Sequence, residues 1–329
     1  MKQKVLITGG TGFIGSHLAE YLVKKNFKVS IFDRYNPNYS LGNLKSSIFK
    51  SKINFIFGDI RDYDSTNSAI KKNDIIIHLA ALIGIPYSYN SPLAYVKTNI
   101  EGTYNVLESV KNNKKKKTII TSTSEVYGSA RYTPIDENHP LNPQSPYSAS
   151  KIAADNLALS YYYSFKTPVM IIRPFNTFGP RQSERAIIPT IINQILRSKN
   201  GSISLGNLYP KREFNFVEDV CDAYFKAIKK NKFGEVINIG NGHEISILEL
   251  AKLISKIMNK KIKIKNISNR KRGTVSEIDL LKSDFNKAKN LLNWKPNYLG
   301  RKGLIFGLKK TINWCRENFA EDKGKNYII

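Results

Sequence analysis

Thr8-Gly9-Gly10-Thr11-Gly12-Phe13-Ile14-Gly15 follows the apolar run Val5–Thr8 and leads into an amphipathic stretch, Gly15–Lys25. Gly10, Gly12 and Gly15 have the GxGxxG spacing. Alone that spacing is weak, but here it stands between a strand and a helix. Glycines in such a turn let the backbone approach a pyrophosphate, and the helix N-terminus offers N–H donors and the positive end of its dipole. Further β-rich apolar runs follow at Val29–Asp33, Asn54–Gly58, Ile75–Leu79, Thr118–Ser122 and Val169–Ile172. The helical patterns Leu93–Lys111 and Pro146–Phe165 lie between them. Short, near-continuous apolar strands separated by helices indicate a parallel sheet covered on both faces. The expected fold class is therefore α/β, a doubly wound parallel Rossmann sheet with a smaller mixed α/β substrate-binding C-terminal domain.

The second run ends in Asp33, about 20 residues beyond the glycines, where a carboxylate binds the ribose hydroxyls of a dinucleotide. A carboxylate there repels a 2′-phosphate, so the expected cofactor is NAD rather than NADP. Gly58-Asp59-Ile60 and His78-Leu79-Ala80-Ala81 fall at the carboxyl ends of two more strands, the edge where such sheets bind ligands. Asp59 is placed to accept from the adenine amino group, and His78 reads as a core histidine. The expected cofactor residues are Gly9, Gly12, Phe13, Ile14, Gly15, Asp33, Arg34, Asp59, Ile60, Leu79, Ala80 and Ala81.

Tyr147-Ser148-Ala149-Ser150-Lys151 is a YxxxK that opens a helix, with Ser145 as N-cap and Pro146 as first helical residue. Tyr147 and Lys151, four apart, share one helix face. A phenol with a pKa near 10 is a poor base at neutral pH. A neighbouring ammonium and the positive nicotinamide would stabilise the phenolate and supply a tuned base for a sugar hydroxyl. The hydroxyl-rich strand end Thr121-Ser122-Thr123-Ser124-Glu125-Val126-Tyr127-Gly128 completes the constellation.

These motifs, with Asp59–Asp62 (DIRD), Arg173–Gln182 (RPFNTFGPRQ) and Arg212–Val220 (REFNFVEDV), make the chain resemble the extended short-chain dehydrogenase/reductases. These are the NAD-dependent epimerases, dehydratases and decarboxylases of nucleotide sugars, and the resemblance covers essentially the whole chain. It implies that Thr123 binds the substrate 4-hydroxyl, that Tyr147 is the base and that Lys151 holds the nicotinamide ribose. Asn99, Tyr147 and Lys151 would thereby join the cofactor residues, Asn99 by supporting the helix that carries the pair. Asn176, Arg181, Arg212 and Arg272 match positions that bind the nucleotide diphosphate, a task suited to forked guanidinium groups. Gly273 stands where relatives commonly carry Pro.

The resemblance also implies a shared first step, in which the 4-hydroxyl proton goes to Tyr147 and a hydride passes from C4 to NAD. Glu125 separates the subfamilies. A 4-epimerase needs no carboxylate there, whereas a 4,6-dehydratase needs a base for the C5 proton as the 6-hydroxyl leaves. Thr123-Ser124-Glu125 resembles the triplet of mannose-type 4,6-dehydratases and also that of glucuronate decarboxylases. It departs from dTDP-glucose dehydratases, which have Asp where this chain has Ser124, so the acid for the leaving hydroxyl is Ser124, a water or Glu125 itself. Leu82–Pro92 (LIGIPYSYNSP) and Arg181–Gln194 (RQSERAIIPTIINQ) resemble N-acetylglucosamine 4,6-dehydratases of legionaminic acid pathways. The expected activity is 4,6-dehydration of a UDP- or GDP-N-acetylhexosamine. A 4-epimerase, a decarboxylase and a non-catalytic NAD-binding scaffold are the alternatives.

Composition narrows the partners. The formal charge of +26 comes from lysines scattered along the chain, and the one run, Lys114–Lys117, reads as a solvated turn, so nucleic acid is not expected. A basic surface still draws in an anionic nucleotide sugar. No apolar run reaches the roughly 18 residues of a membrane span, and no signal-peptide pattern opens the chain. A cytoplasmic protein is expected. Two cysteines, Cys221 and Cys315, make neither a disulfide framework nor a metal site. Residues 1–172 with about 215–239 read as the NAD-binding domain, and 173–214 with 240–329 as the nucleotide-sugar domain. The resemblance implies a homodimer through Leu93–Lys111 and Pro146–Phe165.

Overall fold

The computed structural model describes residues 2–114, 116–267 and 278–319. Seven parallel strands form one sheet. Taken across the sheet they run Val236–Ile239, Val169–Pro174, Lys117–Thr121, Ile75–His78, Lys4–Thr8, Lys28–Arg34 and Ile53–Gly58. Chain order reverses between Lys4–Thr8 and Ile75–His78, which makes the carboxyl ends of those two strands the crevice of a doubly wound sheet. The six runs read from the sequence are all strands of this sheet, and Val236–Ile239 joins it at one edge, paired with Val169–Pro174.

Alternation along the first strand shows how both faces are filled. Val5 and Ile7 pack with Leu18 and Leu22 of the helix Phe13–Lys24 and with Val220 of Val217–Ile228. Leu6 between them packs on the other face with Val106, Leu107, Ile120 and Ala158. Side chains that alternate across a strand and are apolar on both sides bury a sheet between two helical layers. The first cluster continues beyond the sheet and its helices through Ile188, Ile191 and Ile192 of Ile187–Arg197 and through Leu304 and Leu308 of Gly300–Glu317. Cys221 and Cys315 are free, buried thiols in that interior. Among the described residues no group of His, Cys, Asp and Glu is arranged to hold a metal, and no helix is long and apolar enough to cross a membrane.

Two helical patterns come out differently from their sequence reading. Leu93–Lys111 is not one α-helix: Pro92–Tyr95 and Gly102–Asn112 are joined by a π-helical turn, Val96–Glu101. In Asn215–Lys229, whose sequence also reads as a single helix, the first two residues form a short strand against Thr177–Phe178, and the helix begins at Val217.

Candidate active site

The glycine loop is shaped by close backbone contacts. Gly9 has φ +71°, and a Cβ there would lie 2.8 Å from the Ala80 nitrogen. A Cβ on Gly15 would meet the Gly9 oxygen at 2.4 Å and the Gly10 Cα at 2.7 Å. Gly12 is different, since its Cβ would meet only the Gly9 oxygen, at 3.2 Å. The helix Phe13–Lys24 begins there with no side-chain cap on its N-terminus. An open glycine over an uncapped helix start fits the pyrophosphate expected from the sequence.

Asp33 is aimed by the same loop. Its Oδ2 accepts from the Thr11 N–H at 2.9 Å and the Thr11 hydroxyl at 2.5 Å, and its Oδ1 accepts from the Arg34 N–H at 2.8 Å. A carboxylate has about four acceptor positions, so one remains for a ribose hydroxyl. Arg34 itself is exposed. Leu79 and Ala80 lie against the loop because both N–H groups donate to the Thr8 hydroxyl at 3.2 Å. Asp59 is gripped by the Arg61 guanidinium at 2.5–3.1 Å, which holds its carboxyl below the usual range. Ile60 is buried, and its carbonyl accepts from Asn105 at 3.0 Å. His78 is a core histidine bonded to Thr8 at 2.8 Å and Thr103 at 3.2 Å, and burial drives its pKa down to about 3.

The helix Pro146–Phe165 brings the YxxxK to the same crevice. Ser145 and Ser148 form a reciprocal capping box, the Ser145 hydroxyl accepting from the Ser148 N–H at 3.1 Å and the Ser148 hydroxyl from the Ser145 N–H at 3.0 Å. Lys151 is buried, and its ammonium donates to the Thr121 carbonyl at 2.6 Å. Asn99 sits in the π-helical turn. Its amide brackets Leu82, accepting from the N–H at 2.8 Å and donating to the carbonyl at 3.0 Å, and also donates to the Ser150 hydroxyl at 2.9 Å. Asn99 therefore ties the Leu82 loop to the helix of Tyr147 and Lys151.

Tyr147 is buried, edge-on to Tyr95 with ring centres 6.2 Å apart. Burial pushes the phenol well above its ordinary pKa. A hydrogen bond with Thr123 opposes the shift, and the nearby Glu125, Tyr95 and Asp155 add to it. The sequence reading has this phenol lowered by Lys151 together with the positive nicotinamide of bound NAD. In the protein alone desolvation dominates, because the lysine ammonium faces the Thr121 carbonyl. Ser124 and Glu125 lie in the short 3₁₀ turn Ser124–Tyr127, which Thr123 caps by accepting from the Glu125 N–H at 3.2 Å. Ser124 is buried and Glu125 half-buried. Thr123, Glu125, Tyr147 and Lys151 thus converge, and Glu125 is one of two carboxylates, with Asp155, whose charge reaches the phenol.

Of the residues expected at the nucleotide diphosphate, Asn176 stands in the loop after Val169–Pro174, and its side-chain Nδ2 is buried without a hydrogen-bond partner among the described residues. Arg181 has φ +68° and pairs with Glu20 of the first helix at 3.1 Å, while its Nη1 is buried and has no partner among the described residues. Arg212 is buried in the strand Lys211–Glu213, with Nη1 donating to the Lys211 carbonyl at 3.0 Å. Arg272, with Gly273, lies outside the described residues.

Several supporting residues escape the sequence reading. Asp155, one turn beyond Lys151, accepts from Ser122 and Arg173, and Arg173 also donates to Tyr127. The i, i+4 spacing from Lys151 was the available signal for Asp155.

Known proteins resemble this chain in sequence and fold. Residues 6–304 match the family described as GDP-mannose 4,6 dehydratase. A dTDP-D-glucose 4,6-dehydratase of Dictyostelium discoideum is 40% identical over 270 residues, which span 78% of this chain and 62% of that protein. A UDP-N-acetyl-alpha-D-glucosaminuronate decarboxylase of Bacillus cytotoxicus is 34% identical over 327 residues, covering 96% of this chain and 99% of its own length. The solved structure of a UDP-glucuronic acid 4-epimerase from Bacillus cereus, in complex with UDP-glucuronic acid and NAD, matches with a TM-score of 0.86 at 31% identity. It covers 96% of this chain and 100% of the epimerase chain.

Proposed function

The chain belongs to the GDP-mannose 4,6 dehydratase family, and on that premise we propose that it is an NAD-dependent 4,6-dehydratase of a nucleotide-diphospho-N-acetylhexosamine. The observation that carries the reading is Glu125 held beside Tyr147. Epimerisation at C4 requires one base, and dehydration requires two. NAD, which the Thr8–Gly15 loop and Asp33 would hold, would accept the C4 hydride and return it to C6, where the hydroxyl has left. Thr123 orients the 4-hydroxyl and Tyr147 takes its proton. Lys151 holds the ribose and adds a positive charge that, with the cofactor bound, works against the upward shift burial gives the phenol. The 4-ketone acidifies C5, where Glu125 takes the proton as the 6-hydroxyl departs, with Ser124, a water or Glu125 as acid. Asn176, Arg181, Arg212 and Arg272 are proposed to bind the diphosphate.

The N-acetylhexosamine rests on the resemblance carried by Leu82–Pro92 and Arg181–Gln194. We place the sugar-binding unit in residues 173–214 and 240–329. The protein is proposed to work in the cytoplasm as a homodimer, for which exposed Leu93, Val96 and Tyr104 on one helical segment, and Tyr163 and Phe165 on the other, supply apolar surface.

Incubation with UDP- and GDP-N-acetylglucosamine in separate reactions, followed by mass spectrometry, tests the assignment. The expected result is loss of one water from one of the two without added NAD, with solvent deuterium entering C5 in heavy water. Glu125→Gln should slow that loss by about 10²–10³-fold while the fold persists. An epimer of unchanged mass, or carbon dioxide from a uronic acid substrate, would overturn the dehydratase in favour of the corresponding relative's reaction.

A further inference from the structure

Asp155 is among the most buried charges in the protein, and its hydrogen bonds are lopsided. Oδ2 accepts from the Ser122 hydroxyl at 2.7 Å, from Arg173 Nε at 3.0 Å and from Arg173 Nη2 at 2.9 Å. Oδ1, also buried, has no partner among the described residues. Arg173, on the strand Val169–Pro174, donates its remaining arm to the Tyr127 hydroxyl at 3.0 Å. That hydroxyl in turn donates to Asn238 Oδ1, on the edge strand, at 2.7 Å. Tyr127 ends the turn that carries Ser124 and Glu125, and Asp155 lies one helical turn from Lys151. Ser122 adjoins both Thr121, whose carbonyl receives Lys151, and Thr123.

We propose that Asp155 and Arg173 are positioning residues, a buried ion pair that fixes the helix of Tyr147 and Lys151 relative to the turn of Glu125 and supplies the anion that keeps Lys151 charged. A buried pair adds little net stability compared with an apolar replacement, but it specifies geometry and punishes loss of one partner. Here it joins three strands, one helix and one catalytic turn.

The charge role follows from what surrounds Lys151. Tyr147 and Asp155 share its helix, Arg173 comes from the neighbouring strand already bound to Asp155, and Glu125 from the turn faces Tyr147. His78, from the strand Ile75–His78, is neutral at physiological pH because burial holds its pKa near 3. Burial also pushes the Lys151 ammonium down, and Asp155 is the charge that pulls it back up. Asp155 raises Tyr147 as well. Replacing Asp155 by Asn therefore lowers both groups, so the acid limb, set by Tyr147, and the alkaline limb, set by Lys151, move toward lower pH together.

The inference rests on the dehydratase reading for its kinetic readout only. In the protein as purified, the Lys151 ammonium is titrated by NMR, its signal assigned by its absence in Lys151→Met. Asp155→Asn should move the midpoint down by about one pH unit and slide the whole kcat/KM bell by a similar amount. An unchanged midpoint and an unmoved bell in a folded Asp155→Asn protein would overturn the charge role. Should Asp155→Asn not fold, Tyr127→Phe decides, because it removes a single hydroxyl from the other end of the network. It should leave the Lys151 titration and KM unchanged and slow water loss about 10–100-fold by loosening the Glu125 turn; full kcat in Tyr127→Phe overturns the positioning role. Absence of turnover by the unmodified protein on every nucleotide sugar sinks the dehydratase reading, and the Lys151 titration still judges Asp155.

Discussion

Two loops leave the carboxyl edge of the same sheet and are built by opposite means. Thr8–Gly15 is held by its own backbone, with Gly9 and Gly15 shaping it and one nearby carboxylate, Asp33, receiving Thr11. Arg173–Arg185 is held by side chains reaching far along the chain: Arg173 to Asp155 and Tyr127, Arg181 to Glu20, 161 residues away. The first loop leaves an open glycine. The second leaves buried polar atoms without partners among the described residues, Asn176 Nδ2, Arg181 Nη1 and Gln182 Oε1. A buried, unpartnered polar atom costs about 1–3 kcal/mol, so such a cluster is consistent with a loop whose hydrogen bonds are completed by a ligand. A cofactor that stays bound through the cycle suits the rigid loop, and a substrate that comes and goes suits the one finished on binding.

The largest effect expected from breaking this contrast lies in the glycine loop. Gly15→Val would drive branched carbons into the Gly9 oxygen and Gly10 Cα, which are backbone and cannot swing away. The fold should lose several kcal/mol, about 3 or more, by the overpacking mechanism, read as a fall in the urea midpoint and loss of bound NAD. Gly12→Ala sharpens the comparison because its Cβ meets one atom at 3.2 Å. Its stability should stay within about 1 kcal/mol, the cost of an ordinary glycine change, while NAD affinity measured by calorimetry falls about tenfold or more. Equal damage from the two substitutions would mean that Gly12 is structural like Gly15 and that the open surface above it takes no ligand.

The same contrast explains what could be read in advance. The sheet was legible because each buried strand is a short apolar run, and the cofactor loop because its determinants lie within one strand-turn-helix unit with Asp33 close behind. Tyr147 and Lys151 were legible from their spacing. The π-helical turn Val96–Glu101 was not, since the Asn99 side chain within it is committed to Leu82 and Ser150, 17 and 51 residues away. Asp155, Arg173 and Tyr127 were missed for a similar reason: a buried Asp or Arg looks like a surface charge until the strands bring its partner alongside. The direction of the Tyr147 shift depends on burial and on where the Lys151 ammonium points, and neither is written in a local pattern.

The smallest effect is the most discriminating for the second loop. Arg181 occupies the left-handed region at φ +68°, a conformation that costs an L-residue roughly 1–2 kcal/mol and a glycine almost nothing. Its pair with Glu20 is partly solvated, and such pairs contribute about 0–1 kcal/mol. Arg181→Gly therefore exchanges a weak ion pair for relief of backbone strain and should leave stability nearly unchanged. Arg181→Ala loses the pair and keeps the strain, so it should be about 1 kcal/mol less stable than the glycine variant in urea unfolding. If the unpartnered Nη1 serves the substrate diphosphate, the two variants will differ in stability but share the same rise in KM, about tenfold for the loss of a charge-assisted hydrogen bond. Should KM stay at its original value in both, Arg181 is a latch between the loop and the first helix, and recognition of the diphosphate falls to Asn176 and Arg212.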